Sequence, residues 1–383
     1  MEQEKQHSAL KVIIAGGGTG GHVFPAIAIA AALKKKVYDA RILFVGAKGR
    51  MEMRKVPEAG FHIIGLDIAG LQRRLTWKNI LLPWKLIKSI RGAKKIVKRF
   101  KPDVVIGVGG YASGPLLWAA AKEKIPVLIQ EQNSYPGLTN RLLGKKADKI
   151  CVAYGDMDKY FPKQKLYITG NPIREEVVEI DGKRQQALEY FKLSGEGPVL
   201  LVTGGSLGAR TINESVAAHL KSLTDQGIRV IWQTGSTYFK DAKRLQQQLT
   251  NRNQLAVRQF INRMDYAYAA ADLVVSRAGA IAVSELCVIR KPAILIPSPN
   301  VAEDHQTKNA MALVNQHAAV MIKDVQAREK LGEEIVSLIF DDERMHKLKE
   351  KMAGLSYRNA AEVIAGVALS IVRTNYKVVN GQG

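Results

Sequence analysis

The 383-residue sequence has almost no cysteine, no long apolar run and, over one stretch of its first half, no acid at all. Its two cysteines, Cys151 and Cys287, stand far apart in apolar surroundings with no His or Cys at metal-ligand spacing. A disulfide scaffold and a zinc motif are thereby excluded, and both thiols are expected buried and reduced. The longest apolar runs, such as AIAIAAAL from Ala26 to Leu33, fall far short of the roughly 20 residues that cross a bilayer. No spanning helix is expected. The opening MEQEKQHSALKVIIAGGGTGGH carries Glu2 and Glu4 and runs into glycines, so it lacks the basic end and unbroken apolar stretch of a secretion signal. A cytosolic chain is expected. Low-complexity tracts are missing too, and 46% hydrophobic with 24% charged residues suits a folded chain with a sizeable core. At roughly 150 residues per domain, the length points to two domains.

The acid-free stretch runs from Ile68 to Pro102. There Arg73, Arg74, Lys78, Lys85, Lys88, Arg91, Lys94, Lys95, Lys98, Arg99 and Lys101 are interleaved with Leu71, Leu75, Trp77, Ile80, Leu81, Leu82, Trp84, Leu86 and Ile87. The formal charge is +22, and residues 1–170 hold 30 Lys and Arg against 12 Asp and Glu. The first half therefore meets an anionic partner, and charge alone does not separate nucleic acid, lipid surface and phosphorylated substrate. Aromatic and aliphatic groups among cations are what an interfacial membrane segment needs. The plainer alternative, an amphipathic helix packed on a sheet with a solvated basic face, suits Ile87 to Phe100 well. It suits Leu71 to Trp84 poorly. No RNA- or DNA-binding motif accompanies the charge, so no nucleic-acid partner is expected.

Apolar runs alternate with helical stretches throughout, the pattern of parallel strands joined by crossover helices. The fold class is α/β. Strands are expected at Lys11–Ala15, Arg41–Val45, Val104–Val108, Val127–Gln130, Lys149–Val152 and Lys165–Ile168. After a linker at Thr169 to Arg174 (TGNPIR) they resume at Pro198–Thr203, Val230–Gln233, Ala256–Phe260, Leu273–Ser276, Ala293–Pro297 and Ala319–Ile322. Each half opens alike, with a strand, a glycine loop and a helix: VIIAGGGTGGHVFPA and VLLVTGGSLGARTIN. The helical segment AAEVIAGVALSIV, within 357–383, is a candidate to cross back onto the first domain.

Glycines between strand and helix let backbone approach an anion, and the helix N-terminus presents free N–H groups to it. Gly16, Gly18 and Gly21 also fit the dinucleotide fingerprint, but the second strand, RILFV, runs into Gly46, Ala47, Lys48 and Gly49 instead of an acid for the ribose. NAD is not expected; Lys48 or Arg50 leaves an argument for NADP. The glycines alone are equally those of tight turns. His22, after the first cluster, is either a structural hydrogen-bonding residue or a base beside an anion cradle. Asp156-Met157-Asp158 has the form of a metal-chelating pair but reads as two solvated acids. No metal and no cofactor are assigned.

Together the motifs GGGTGGHVFPA (16–26), GVGGYASGP (107–115), EQNSYPGLTNR (131–141), TGNPIR (169–174), GGSLGAR (204–210), FINRM (260–264), SRAGAIAVSEL (276–286) and HQTKNA (305–310) resemble the bacterial peptidoglycan N-acetylglucosaminyltransferases that convert lipid I to lipid II. The resemblance covers nearly the whole chain. It implies two Rossmann-like doubly wound domains facing across a cleft, the GT-B arrangement. Residues 1–170, joined by 357–383, would take the acceptor and the membrane, and 171–356 the UDP-sugar. It implies donor contacts at Arg174, Ser206, Ile261, Ala280, Ile281, Ala282, Val283, Ser284, Glu285 and Gln306, with His305 as rival to Gln306, because PSPNVAEDHQ departs from some relatives' spacing. Thr19, Gly20, Gly21 and Asn133 would contribute from the first domain. Glu285, expected at an exposed cleft, would accept from both ribose hydroxyls; Ile261 would pack on uracil with its main chain reading the base edge.

The reaction so implied is an inverting hexosyl transfer from UDP-N-acetylglucosamine to the muramyl 4-hydroxyl of lipid I, with His22 as preferred base and Glu131 as competitor. Leu75, Trp77, Leu81, Leu82 and Trp84 would meet the anionic membrane surface, placing the chain peripherally on the cytoplasmic face. Three rivals stand beside it. A related transferase acting on another lipid is disfavoured by GGYASGP and EQN. A UDP-sugar 2-epimerase would have no need of the basic Trp-rich tract, and a non-catalytic membrane-binding partner would not need the donor residues.

Overall fold

The computed structural model describes residues 9–68, 82–205 and 207–373. They form two compact units: one runs to Ile173 and takes up the chain again from Asn359, and the other spans Arg174–Arg358.

The first unit is built on a seven-stranded parallel sheet: β1 (Lys11–Ala15), β2 (Arg41–Ala47), β3 (His62–Leu66), β4 (Val104–Gly107), β5 (Val127–Glu131), β6 (Lys149–Val152) and β7 (Leu166–Ile168), in the order β3-β2-β1-β4-β5-β6-β7. KVIIA shows why the sheet is covered twice. Successive side chains of a strand point to opposite faces, so Val12 and Ile14 enter one apolar cluster and Ile13 and Ala15 another. On the first face lie the helix Gly20–Lys36 and, packed against it, the helix Ala360–Ser370, which buries Ile364, Ala365 and Ala368. On the second lie the helices Leu82–Phe100 and Ser113–Lys122, through Ala93, Val97, Leu116 and Leu117. Strands buried on both faces read as near-continuous apolar runs: β4 is VVIG, β1 is apolar after Lys11, and β5 is apolar up to Gln130 and Glu131, two buried polar residues at its carboxyl end.

The second unit repeats the plan with β8 (Val199–Thr203), β9 (Arg229–Gln233), β10 (Leu255–Arg258), β11 (Leu273–Ser276), β12 (Ala293–Leu295) and β13 (Val320–Met321), in the order β10-β9-β8-β11-β12-β13. Its core joins Leu200, Val202, Val230 and Trp232 to Ile212, Val216 and Leu220 of the helix Arg210–Asp225 and to Ile335 and Leu338 of the helix Ala327–Ile339. Trp232 lies in full burial, so its indole N–H needs a partner; it donates to Asn213 Oδ1 at 3.0 Å, and Asn213 Nδ2 donates on to Thr234 O at 2.8 Å. Leaving such a buried group unpaired costs about 1–3 kcal/mol.

The expected strands are present with ends moved by one or two residues, and β3 is added at the edge. Both sheets reverse direction of winding at their first strand, between β1 and β4 and between β8 and β11. In doubly wound sheets ligands bind beyond the carboxyl ends of the strands at that switch point. The motifs GGGTGGH, GVGGYASGP, GGSLGAR and SRAGA follow β1, β4, β8 and β11 respectively. Fold and glycines thus select the same two places.

Candidate active site

In the first unit β1 ends at Ala15 and turns through Gly16, Gly17 and Gly18 into the helix that starts at Gly20. Thr19 caps that helix in extended backbone without a side-chain cap bond. Gly17 is glycine because of a side chain from elsewhere: a Cβ there would stand 2.1 Å from Glu52 Oε1. Glu52, in the first turn of the helix Glu52–Glu58, is 1% exposed. It accepts the Gly18 N–H through Oε2 and the Ala47 N–H through Oε1, both at 2.9 Å. A buried carboxylate is costly unless its lone pairs are used, and the ends of β1 and β2 supply the donors. The Gly18 amide is therefore engaged inside the protein, so this loop offers an outside anion less than its glycine count suggests.

His22 Nδ1 lies 3.1 Å from Gly17 O and 3.3 Å from Thr19 Oγ1. A carbonyl oxygen only accepts, so in this contact Nδ1 carries the hydrogen, and in the neutral ring Nε2 then carries the lone pair. The loop after β4 makes room for the ring: at Gly109, with φ +92°, a Cβ would stand 2.8 Å from His22 Cδ2 and 2.9 Å from Nε2. A Cβ at Gly109 would also stand 3.6 Å from Gln132 Oε1. Gln132 is itself fixed, donating through Nε2 to Val108 O at 2.6 Å.

Glu131, the last residue of β5, is 2% exposed. Its Oε1 accepts from Asn133 N at 3.0 Å and Asn133 Nδ2 at 3.2 Å, and its Oε2 from Gly137 N at 3.1 Å and Asn140 Nδ2 at 2.9 Å. Burial pushes its pKa above the usual carboxylate value, and these hydrogen bonds oppose the rise. Every contact serves the segment 133–140, the loop that leads into the helix Leu138–Gly144 and that helix's first turn, so the geometry describes a brace for that segment and for Asn133 within it.

In the second unit β8 ends at Thr203 and leads through Gly204, Gly205, Leu207 and Gly208 to the helix Arg210–Asp225; Ser206 lies outside the described residues. Gly208, at φ +81°, faces backbone: a Cβ there would stand 2.1 Å from Thr234 O. Gln233, 4% exposed at the end of β9, ties the site together. Its Nε2 donates to Thr203 Oγ1 at 3.1 Å and to Gly205 O at 3.0 Å, while its Oε1 accepts the Ile261 N–H at 2.8 Å. The Ile261 amide is thus already held from within.

Glu285 departs from expectation. It is 5% exposed on the helix Ala280–Ile289, not on an open surface. Tyr268 Oη donates to its Oε2 at 3.1 Å, and Arg174 Nη2 stands 3.6 Å from its Oε1. Burial raises its pKa above the usual range, against the pull of the Arg174 guanidinium and the Tyr268 hydroxyl. Of the helix that carries it, Ala280 and Val283 are buried while Ile281, Ala282 and Ser284 are half-buried. Gln306 Oε1 accepts Ser298 N–H at 2.8 Å, securing the segment before His305, where Glu303 and Asp304 adopt left-handed backbone.

Leu75, Trp77 and Leu81 lie outside the described residues, as does the side chain of Leu82. Trp84 is 71% exposed on the helix Leu82–Phe100, whose Ala93 and Val97 face the core while Lys88, Arg91, Lys94, Lys95, Lys98 and Arg99 are exposed. Among the described residues no helix is long and apolar enough to cross a membrane. Asp156 and Asp158 are exposed on either side of buried Met157. Glu52, Gln132, Gln233 and Tyr268 were not anticipated. Each acts through a contact distant in sequence, and only Gln132 stood in a quoted motif, as the middle residue of EQN.

The N-terminal domain model of glycosyltransferase family 28 matches residues 12–152, and the family's C-terminal domain model matches residues 199–364. A relative from Parabacteroides distasonis, named UDP-N-acetylglucosamine–N-acetylmuramyl-(pentapeptide) pyrophosphoryl-undecaprenol N-acetylglucosamine transferase, is 52% identical over 94% of this chain and 98% of its own. One of the same name from Bacteroides fragilis is 50% identical over 97% and 98%. Among solved structures, MurG of Acinetobacter baumannii superposes with a TM-score of 0.76 at 28% identity, covering 94% of this chain and 99% of that one. UDP-GlcNAc 2-epimerase of Neisseria meningitidis, at 17% identity and a TM-score of 0.67 over 94% and 100%, shares the fold.

Proposed function

Because the chain belongs to glycosyltransferase family 28 through both its halves, we propose that it moves N-acetylglucosamine from UDP-N-acetylglucosamine to the muramyl 4-hydroxyl of lipid I, giving lipid II for peptidoglycan. It is a hexosyltransferase. Relatives about half identical over nearly the full length support that reaction, and one geometric observation supports its chemistry: His22 donates from Nδ1 to the Gly17 carbonyl, which leaves Nε2 as the basic nitrogen. In the proposed step the acceptor oxygen bonds to the anomeric carbon as the bond to UDP breaks, with inversion. The hydroxyl proton passes to His22 Nε2, and the electron pair leaves on the diphosphate. The helix start after the second glycine loop and the Arg174 guanidinium receive that charge. Glu285, oriented by Tyr268 and Arg174, accepts from the ribose hydroxyls, and the Ile261 carbonyl reads the uracil edge. Glu131 is assigned to bracing the loop of Asn133 and the start of the following helix, since its four donors come from Asn133, Gly137 and Asn140.

The acceptor is lipid-borne, and the first unit carries the surface suited to it. Exposed Trp84 and Ile87 stand on the same helix as six exposed cations, and together with Leu75, Trp77, Leu81 and Leu82 they dock on the anionic cytoplasmic face of the membrane. The deciding experiment incubates the protein with radiolabelled UDP-sugars and a lipid I analogue. N-acetylglucosamine label should move into lipid; label that moves only into another lipid, or UDP released without transfer, would refute the assignment.

A further inference from the structure

The contacts of Glu52 and of His22 meet on a single peptide group. Gly17 O, which accepts from His22 Nδ1 at 3.1 Å, and Gly18 N, which donates to Glu52 Oε2 at 2.9 Å, are the two ends of one amide. In a trans peptide the C=O and N–H point opposite ways, so carboxylate and imidazole sit at its opposite ends. Hydrogen bonds at both ends of an amide strengthen each other: an anionic acceptor on the N–H drives electron density onto the carbonyl oxygen, which then holds an N–H donor more tightly.

We propose that Glu52 is a positioning residue for His22, its carboxylate acting through the Gly17–Gly18 peptide to hold the imidazole with Nδ1 protonated and the lone pair on Nε2. This rests on the reading of His22 as the base. The local sequence is shaped around the arrangement. Gly17 gives way to Glu52 Oε1, Gly46 gives way to its Cγ, where a Cβ would stand 2.5 Å away, and Gly110 gives way to Gly17 O, at 2.4 Å. Three glycines from three strand ends thus pack the carboxylate and the peptide into fixed places. The second Glu52 oxygen is anchored on Ala47 N, so the carboxylate cannot swing away from Gly18 without breaking a bond to β2. A carboxylate that merely filled space would need no such alignment with the peptide that carries the histidine.

The coupling is read most directly by 15N NMR of the histidine side chains in alkaline buffer; the chain has seven histidines, and the His22 signal is the one lost in His22→Ala. The wild-type protein should show the Nδ1–H tautomer. Glu52→Gln should move it toward Nε2–H and lower kcat about 10–100-fold, the size typical of losing a partner that orients an imidazole, while the Kd for UDP-N-acetylglucosamine stays within about twofold. A wild-type Nε2–H tautomer overturns the proposal. So does a Glu52→Gln protein that loses activity with its tautomer unchanged, since Glu52 would then only brace the loop. If Glu52→Gln does not fold, the wild-type tautomer and the coupling across the hydrogen bond from Gly18 N to the Glu52 carboxyl carbon decide, and absence of either overturns it. Full turnover by His22→Ala would instead remove the base assignment, and the tautomer shift in Glu52→Gln would still decide separately whether Glu52 orients the ring.

Discussion

The two glycine loops look alike in sequence and are built on opposite principles. In the first, an internal carboxylate, Glu52, takes the Gly18 amide, and the peptide's other end orients His22. In the second, the glycines yield to backbone: Gly208 to Thr234 O and Gly204 to Ala209 N, where a Cβ would stand 2.4 Å away. The side chain that braces that loop is an uncharged amide, Gln233. An anionic ligand suits the loop without a resident carboxylate, whereas a base benefits from one nearby. In the reaction proposed above, the same strand–loop–helix unit would serve leaving-group binding in one half and proton transfer in the other.

That division is sharpened or broken by variants in each half. The largest effect is expected from His22→Ala, which should lower turnover roughly 10²–10⁴-fold, as for loss of a general base, with donor affinity little changed. If Glu131→Gln were inactive while His22→Ala stayed active, the two would exchange roles. Next comes Glu285→Ala, which removes a charge-assisted contact worth about 1.5–3 kcal/mol, or one to two decades of UDP-sugar affinity by calorimetry. Because Glu285 is buried against Tyr268, thermal stability should fall as well, and Glu285→Gln should recover part of the stability without the affinity.

How much of this the sequence disclosed follows from the range of the interactions. Strands buried on both faces announce themselves as apolar runs, and KVIIA and VLLVT did so. HIIGL of β3 did not, because an edge strand interrupted by His62 and Gly65 carries a broken signal. The motifs that carry the family were legible as local strings. Glu52 was not: EMRKVPE reads as a charged surface helix, and its acid is buried only because amides from β2 and the first glycine loop converge on it. Glu285 stands in a motif and was misjudged in exposure, since Tyr268, seventeen residues earlier, bonds to it from a different helix.

Two smaller effects test the halves separately. Replacing Trp77, Leu81 and Trp84 together by Ser should reduce liposome binding at high salt and activity on long-chain lipid I several-fold, while sparing a short-chain soluble acceptor, because the apolar contribution scales with buried area. Equal loss on both acceptors, or a melting temperature lowered by several degrees, would assign these residues to core packing. The smallest is a pH effect on the donor side. The Glu285 carboxyl has its pKa raised by burial, so UDP affinity should fall on acidification at a pH above the ordinary carboxylate range, as protonation removes its accepting capacity. Since the folded state binds that proton more tightly than the unfolded one, ionising Glu285 lowers stability as pH rises through the interval between the two values. An acid limb of UDP binding at or below the usual carboxylate value would contradict the burial of this group in solution.

The division of labour is tested most directly by measuring, side by side for His22→Ala and Glu285→Ala, kcat on a soluble acceptor and Kd for UDP-N-acetylglucosamine. The expected result is a crossed pattern: kcat collapses with Kd preserved in the first variant, and Kd rises by one to two decades with a smaller change in saturated turnover in the second. If both variants moved the same parameter by the same factor, the two units would not have the separate functions assigned to them.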